Sequence, residues 1–401
     1  MRNRTRHILR AAVTIAALAC SQLASSAPIR ILFVGNSYTF GRVDPVMRYN
    51  AANVHDLTAA FYRINPAGTN PWEPHPWGGV PGIFKKFTSE MGLDYDVALS
   101  TRNAASLRAH FLNSANADWD LRGNVASQVW DIVVLQEQSD GALPGGRGKN
   151  ANPLQSRATI NAFEQFIHDG AARSFSETAL YGSEAACKAT GESARQCRRT
   201  HAIPANPNAN PKARIYLTQT WARPDMVFAH RPAQPDRSSV DGRPKADPAG
   251  AMTTPYYPSL AAMTQDLRDA LEADLAANPR LLRVLPVGDA FQRALDQNLV
   301  RNTGFYDANG AAAKRQADDL MDLWWDDRLH ASKYGSYLAA LVQFGAITGI
   351  DPLALGPHEK AAAELGIADR DALLLARIAS QQLGFRPANT GMEPASAVPG
   401  Q

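Results

Sequence analysis

Cysteine is scarce in this chain, three residues among 401. That scarcity excludes a disulfide-dense scaffold and a thiolate metal cluster. The histidines do not make up for it: His55, His75, His110, His168, His201, His230 and His358 form no pair at metal-ligand spacing and no His-Glu-x-x-His, so no metal is expected. A phosphate loop is missing too. The run Gly145-Gly146-Arg147-Gly148-Lys149-Asn150 is glycine-rich, but no hydroxyl residue follows Lys149, and no strand leads through it directly into a helix. There is no internal repeat. Neither the N-terminal apolar segment, Ala11 to Ala19, nor the apolar run from Ile29 is long enough to span a bilayer, which argues against stable membrane insertion.

An excess of one charge sign is also lacking. The formal net charge is +3, and residues 1–27 hold four arginines (Arg2, Arg4, Arg6, Arg10), no lysine and no acid, so the remainder carries 3 − 4 = −1. A near-neutral chain with interspersed charges offers no electrostatic grip on nucleic acid. Residues 1–27 themselves read as a secretory signal: a basic start, a short apolar stretch, then Ser25-Ser26-Ala27 as small residues for cleavage. The expected location is secreted or periplasmic. Lipidation at Cys20 is the weaker alternative, because Ala17-Leu18-Ala19 matches a lipidation signal poorly. Cys187 and Cys197 then remain as an even pair in an exported protein and are expected to form a disulfide. By loop closure it would contribute about 2–3 kcal/mol. The polar loop Lys188 to Gln196 supplies no base for a catalytic thiol.

What is present is a regular alternation of buried strands and helices. The chain is organised around Ile29-Arg30-Ile31-Leu32-Phe33-Val34-Gly35-Asn36-Ser37-Tyr38-Thr39-Phe40, a β-branched apolar run that stops at a glycine and continues with capping residues. Further strands are expected at Tyr95 to Ser100, Trp130 to Leu135, Arg214 to Thr220 and Leu281 to Val287. Helical spacing falls at Ile83 to Met91, from Ser106, at Pro153 to His168, Leu260 to Ala276 and Lys333 to Thr348. The pattern predicts an α/β fold, a three-layer α/β/α sandwich with a five-stranded parallel sheet. Residues 28–350 would form it, with 351–401 a helical extension and a disordered tail. The Pro-rich stretch 223–258 is too long for a plain connection and reads as a lid or binding loop. Trp72, Trp77 and Trp221, on loops at strand ends, suit either the core or the lining of a substrate site.

Two motifs carry chemistry. Ser37 follows the first strand, at the carboxyl edge where open α/β sheets place their ligands. Asp327-Arg328-Leu329-His330 precedes the last long helix. A serine hydroxyl needs a base to take its proton, and an acid three residues before a histidine can reach the far imidazole nitrogen. Asp326 is the competitor for that role. The order Ser, Asp, His, with the latter two nearly adjacent, resembles the SGNH/GDSL hydrolase superfamily, Gly35-Asn36-Ser37 standing where it has Gly-Asp-Ser. The chain is most similar to a bacterial branch with Gly-Asn-Ser, Leu-Gln-Glu-Gln-Ser and Asp-x-x-His-x-Ser, over roughly residues 29–350. The resemblance implies a flavodoxin-like SGNH fold and an exported serine esterase with Ser37 as nucleophile, His330 as base and Asp327 as its partner, requiring no cofactor. It implies an oxyanion hole from the Ser37 N–H, a backbone N–H near Ala104 or Ala105 where the family has glycine, and a side-chain amide. Gln138 is the first choice for that amide and Gln136 the second. The substrate class implied is a small-molecule or glycan ester, O-acetylated carbohydrate among them. The departures at glycine and asparagine leave a non-catalytic carbohydrate-binding protein and an acyltransferase as alternatives.

Overall fold

The computed structural model describes residues 27–60, 73–112, 120–235, 244–247, 250–313 and 318–385. Cys20, Trp72, the expected signal sequence 1–27 apart from Ala27, and the expected disordered tail 385–401 apart from Phe385 lie outside them.

Ten strands occur among these residues. They are β1 (Ile29–Gly35), β2 (His55–Asp56), β3 (Tyr95–Thr101), β4 (Ile132–Leu135), β5 (Arg173–Ser176), β6 (Thr200–Ile203), β7 (Arg214–Thr218), β8 (Ala233–Pro235), β9 (Pro244–Ala246) and β10 (Arg283–Leu285). Six form one sheet in the order β10-β7-β4-β1-β3-β2, every pairing parallel. The expected count of five is corrected to six. The addition is β2, two residues long at the edge, whose His-Asp sequence carries no apolar run to betray it.

Period-2 alternation sends neighbouring residues of β1 to opposite faces. Ile31 and Phe33 join one apolar cluster with Tyr38, Phe84, Leu338 and Phe344, while Leu32 and Val34 join a second with Leu107, Phe111, Ile160 and Phe163. Those clusters are the two interfaces of a three-layer sandwich. Helices Gly79–Glu90 and Lys333–Thr348 cover the first face, and Leu107–Leu112 and Pro153–His168 the second. Residues 351–385 are packed into the first cluster through Ala361, Leu365, Leu375 and Ile378.

Cys187 and Cys197 are joined in a disulfide with Cα atoms 5.8 Å apart. It lies in an insertion framed by the antiparallel pair β5–β6. Buried Glu177 fastens that insertion to the sandwich, accepting from Arg108 Nη1 at 2.9 Å and from His201 Nε2 at 2.5 Å. Within 223–258, Met226, Val227 and Tyr257 belong to the core, and His230 stacks on Tyr306 at 4.7 Å.

The chain passes from β1 to β3 on one side and to β4 on the other, so the direction of winding reverses at β1. That switch point opens the crevice in which such sheets hold ligands, and Ser37 lies two residues beyond the end of β1.

Candidate active site

The turn after β1 is tight because Gly35 lets other groups approach. A Cβ there would meet Thr39 Oγ1 at 2.3 Å and Gln136 Oε1 at 2.4 Å. Asn36 then fixes the turn from three directions. Its side-chain oxygen caps the Tyr38 N–H at 3.1 Å, its amide donates to Ala105 O at 3.0 Å, and its backbone N–H donates to Gln136 Oε1 at 3.0 Å. Beneath the turn His110 Nε2–H donates to Gly35 O at 2.8 Å. Burial pulls the His110 pKa down to about 4, against the hydrogen bond to Gly35, so this ring stays neutral. The helix that follows, Ser37–Phe40, is a single turn ended by Gly41.

The opposing loop is equally determined. Asp327 Oδ1 accepts the backbone N–H groups of Leu329 at 3.0 Å and His330 at 2.9 Å, an Asx turn that bends the chain back. Arg328, between them, takes φ = 57°, a left-handed conformation that costs a non-glycine residue about 1 kcal/mol or more. Its buried guanidinium offsets the strain, donating to Asp322 Oδ2 at 2.7 Å, Ala313 O at 2.7 Å and Phe305 O at 3.2 Å. Trp325 N–H donates to His330 O at 2.8 Å, and Ser332 caps the helix Lys333–Thr348. The final serine of Asp-x-x-His-x-Ser is therefore a helix cap. Replacing Arg328 with methionine leaves the Asp322 carboxylate, among the described residues, only Arg301, 3.6 Å away, and the Trp324 N–H, and should cost on the order of 3 kcal/mol. Guanidinium unfolding checks this, and a loss below 1 kcal/mol would contradict the bracing role.

These two loops bring Ser37 and His330 together across 293 positions of sequence. Ser37 Oγ lies 2.8 Å from His330 Nε2, and His330 Nδ1 lies 2.6 Å from Asp327 Oδ2. A carboxylate only accepts, so Nδ1 carries the ring proton and Nε2 is left to accept from the serine hydroxyl. Burial pushes the Asp327 carboxyl upward, but the His330 charge and the hydrogen bonds from His330 and Leu329 outweigh it and hold the pKa at about 2. Arg42 Nη1 stands 3.7 Å from the same Oδ2. Asp326 is exposed.

The depressed folded-state value fixes a pH dependence. Stability contributed by ionised Asp327 is fully present above its unfolded pKa near 3.9 and is lost as pH falls through 2. The advantage of wild type over Asp327→Asn in urea unfolding should amount to about 2 kcal/mol at pH 5 and shrink below pH 3. A gap that does not change with pH would contradict the assignment.

Sequence reasoning missed two donors that hold this loop. Tyr38 OH, 2.8 Å away, and Trp221 Nε1, 3.1 Å away, both donate to Leu329 O, next to His330, and their rings stack at 4.1 Å. Burial pushes the Tyr38 phenol well above its ordinary value, against the pull of Arg223, so its hydroxyl remains a donor. Trp221 is 2 % exposed and packs its other face on Phe291. Trp77, also 2 % exposed, is stacked between Phe40 and His75. The expectation that these two tryptophans line a substrate site is corrected: both are core residues with no free face.

The remaining expected donors separate. Ala104 takes φ = 56°, the left-handed conformation that glycine adopts freely. The Ala105 N–H is spent on Arg102 O at 3.1 Å. The Ser37 and Ala104 N–H groups have no protein acceptor among the described residues. Gln136 is committed within the turn, its Oε1 also accepting from Thr39 Oγ1 at 2.9 Å and its amide donating to Glu137 O. It braces the nucleophile turn, with one of its two amide N–H groups spent on Glu137 O. The Gln138 side chain is partly exposed and lines a polar cavity beside β4. Among the described residues no three His, Cys, Asp or Glu side chains come together as a metal site, and no helix is long and apolar enough to cross a membrane.

No protein-family model and no curated protein matches the chain. Solved structures similar to it include a candidate SGNH hydrolase from Slackia heliotrinireducens, 16% identical, covering 80% of this chain and 100% of that one with a TM-score of 0.35. A DUF4886 family protein from Bacteroides uniformis is 11% identical over 89% of this chain and 95% of that one, with a TM-score of 0.41. A phospholipase A1 from Streptomyces albidoflavus is 11% identical over 79% and 99%, with a TM-score of 0.30. Overlap this loose assigns no activity, and the chemistry rests on the residues above.

Proposed function

We propose that this chain is an exported serine esterase of the SGNH type that hydrolyses carboxylic esters through an acyl-enzyme on Ser37. The observation that carries the reading is the continuous relay from Ser37 Oγ to His330 Nε2 and from His330 Nδ1 to Asp327 Oδ2, at 2.8 and 2.6 Å. As Ser37 Oγ attacks the carbonyl carbon, its proton passes to His330 Nε2, and Asp327 stabilises the imidazolium without taking the proton. The N–H groups of Ser37 and Ala104 face the developing oxyanion. Gln138 supplies a third donor by turning from the cavity it lines; one such donor is worth about 3 kcal/mol. His330 then protonates the leaving alcohol. Water then attacks the acyl carbon as its proton passes to the same nitrogen, and the bond to Ser37 Oγ breaks, releasing the acid as His330 returns that proton to Oγ.

The relay weighs against a binding protein without activity, since a binding site has no use for a serine–imidazole–carboxylate chain. With Trp77 and Trp221 buried, the case for a glycan ester rests on export and on the polar cavity. Rapid quenching during turnover of an aryl acetate, followed by peptide mass spectrometry, should find an acetyl group on Ser37. An unmodified Ser37 peptide throughout a kinetic burst would reject the reading.

A further inference from the structure

Arg42 follows Gly41, the residue that ends the turn carrying Ser37. Its side chain is 10 % exposed and reaches the far end of the relay, with Nη1 3.7 Å from Asp327 Oδ2. Its Nε donates to Glu73 Oε1 at 2.6 Å. Glu73 is 1 % exposed and lies just ahead of the helix Gly79–Glu90. The indole of Trp77 donates to Glu73 O at 3.3 Å, so a core ring fixes the backbone that carries this carboxylate. Glu73 Oε1 also accepts from Asn103 Nδ2 at 3.4 Å. Asn103 precedes Ala104, whose N–H faces the oxyanion in the esterase reading. One buried carboxylate therefore joins the acid end of the relay to the oxyanion loop.

A buried ion pair is a poor source of stability, because desolvation offsets most of the attraction, so fastening the fold does not explain this one. The two arms of Asp327 are held unequally. Oδ1 accepts two backbone N–H groups, whereas Oδ2 accepts His330 Nδ1–H and has Arg42 beyond hydrogen-bond reach. A cation at that place attracts Oδ2 and keeps it aimed. The same charge opposes the imidazolium that forms on His330 as Ser37 loses its proton. A carboxylate 2.6 Å behind the cation offsets the second effect while anchoring the first.

We propose that Arg42 is a positioning residue for the relay and that Glu73 holds it in place and offsets its charge, so that Asp327 is steered by a neutral pair. Arg42 acts through Asp327, and Glu73 through Arg42. The other groups that face His330 and Asp327 are Tyr38, whose ring meets His330 edge-on at 5.7 Å, Tyr306, and the Arg223–Asp225 ion pair behind them. Burial pushes both phenols well above their ordinary value, so they stay neutral. Arg328 donates its guanidinium to Asp322. These groups are the same in every variant below. The inference rests on the esterase reading for its effect on turnover; the charge arrangement itself does not.

Removing one charge at a time should shift the pH profile in opposite directions. In Arg42→Met the Glu73 charge is no longer cancelled, the imidazolium is favoured, and the acid limb of kcat/KM for an aryl acetate should move up by about 0.5 pH unit or more. In Glu73→Gln the Arg42 charge is uncancelled, and the limb should move down by a similar amount. The double variant, which strands neither charge, should return the limb to its wild-type position. Plateau kcat should fall about tenfold in Arg42→Met with KM within about twofold. Arg42→Lys keeps the charge and loses the fork, so it should lower kcat without moving the limb. Circular dichroism checks each fold, and NMR titration of the His330 ring reads the same shifts without substrate. Shifts of one sign in both single variants, no shift in folded Arg42→Met, or a raised KM at unchanged kcat would overturn the proposal. Covalent labelling of Ser37 separates the two readings. Labelling and turnover without the opposed shifts remove the role of Arg42 and keep the esterase, and opposed NMR shifts without labelling or turnover do the reverse.

Discussion

Ser37→Ala should lower kcat for an aryl acetate by about 100,000-fold or more, with KM nearly unchanged. The substitution removes one oxygen from a turn whose shape is set by Gly35, Asn36 and Gln136, none of which bonds through the serine hydroxyl. Circular dichroism and the unfolding midpoint should therefore stay at wild-type values, and the loss belongs to the chemical step. Removing His330 in addition should cost little more, because a nucleophile and its base act as a unit and their losses do not add. Stopped-flow hydrolysis of the single and double variants decides the matter. A Ser37→Ala enzyme retaining a tenth of wild-type turnover would place the chemistry elsewhere.

Asp327→Asn should cost about 10,000-fold in kcat. Asparagine keeps an oxygen for the N–H groups of Leu329 and His330, so the Asx turn survives. The other arm becomes an amide donor facing His330 Nδ1. That nitrogen must then accept, the ring proton moves to Nε2, and Nε2 can no longer take the Ser37 proton. Geometry is retained while the tautomer is wrong. The exposed neighbour Asp326, converted to asparagine, should change kcat less than twofold. Equal losses at the two positions would point to a general electrostatic effect and not to the tautomer.

The extent to which these features can be read from sequence follows the range of the forces behind them. β1, β3, β4 and β7 show as apolar runs because both faces of each are buried, and the helices Pro153–His168 and Lys333–Thr348 have the residues expected of them because their caps, Asn152 and Ser332, are local signals. β2 is not legible in the sequence because an edge strand of two polar residues owes its existence to β3 alone. Ser37, Asp327 and His330 stand out by residue type and order. Their brace does not: Arg328 is an unremarkable arginine until Asp322, Ala313 and Phe305 converge on it. Trp77 and Trp221 were ambiguous for the same reason, since the rings that bury them, Phe40, Tyr38 and Phe291, come from distant positions. Ala104 shows the limit most clearly. Its left-handed backbone delivers the geometry that a glycine would advertise, and an alanine does not.

The most direct test of the esterase reading is reaction of the purified protein with a fluorophosphonate probe, followed by peptide mass spectrometry. The account predicts one stoichiometric adduct on the peptide containing Ser37, formed rapidly in wild type, slowed by orders of magnitude in Asp327→Asn and absent from Ser37→Ala. Labelling that persists in Ser37→Ala, or a folded wild type that never reacts, would contradict it.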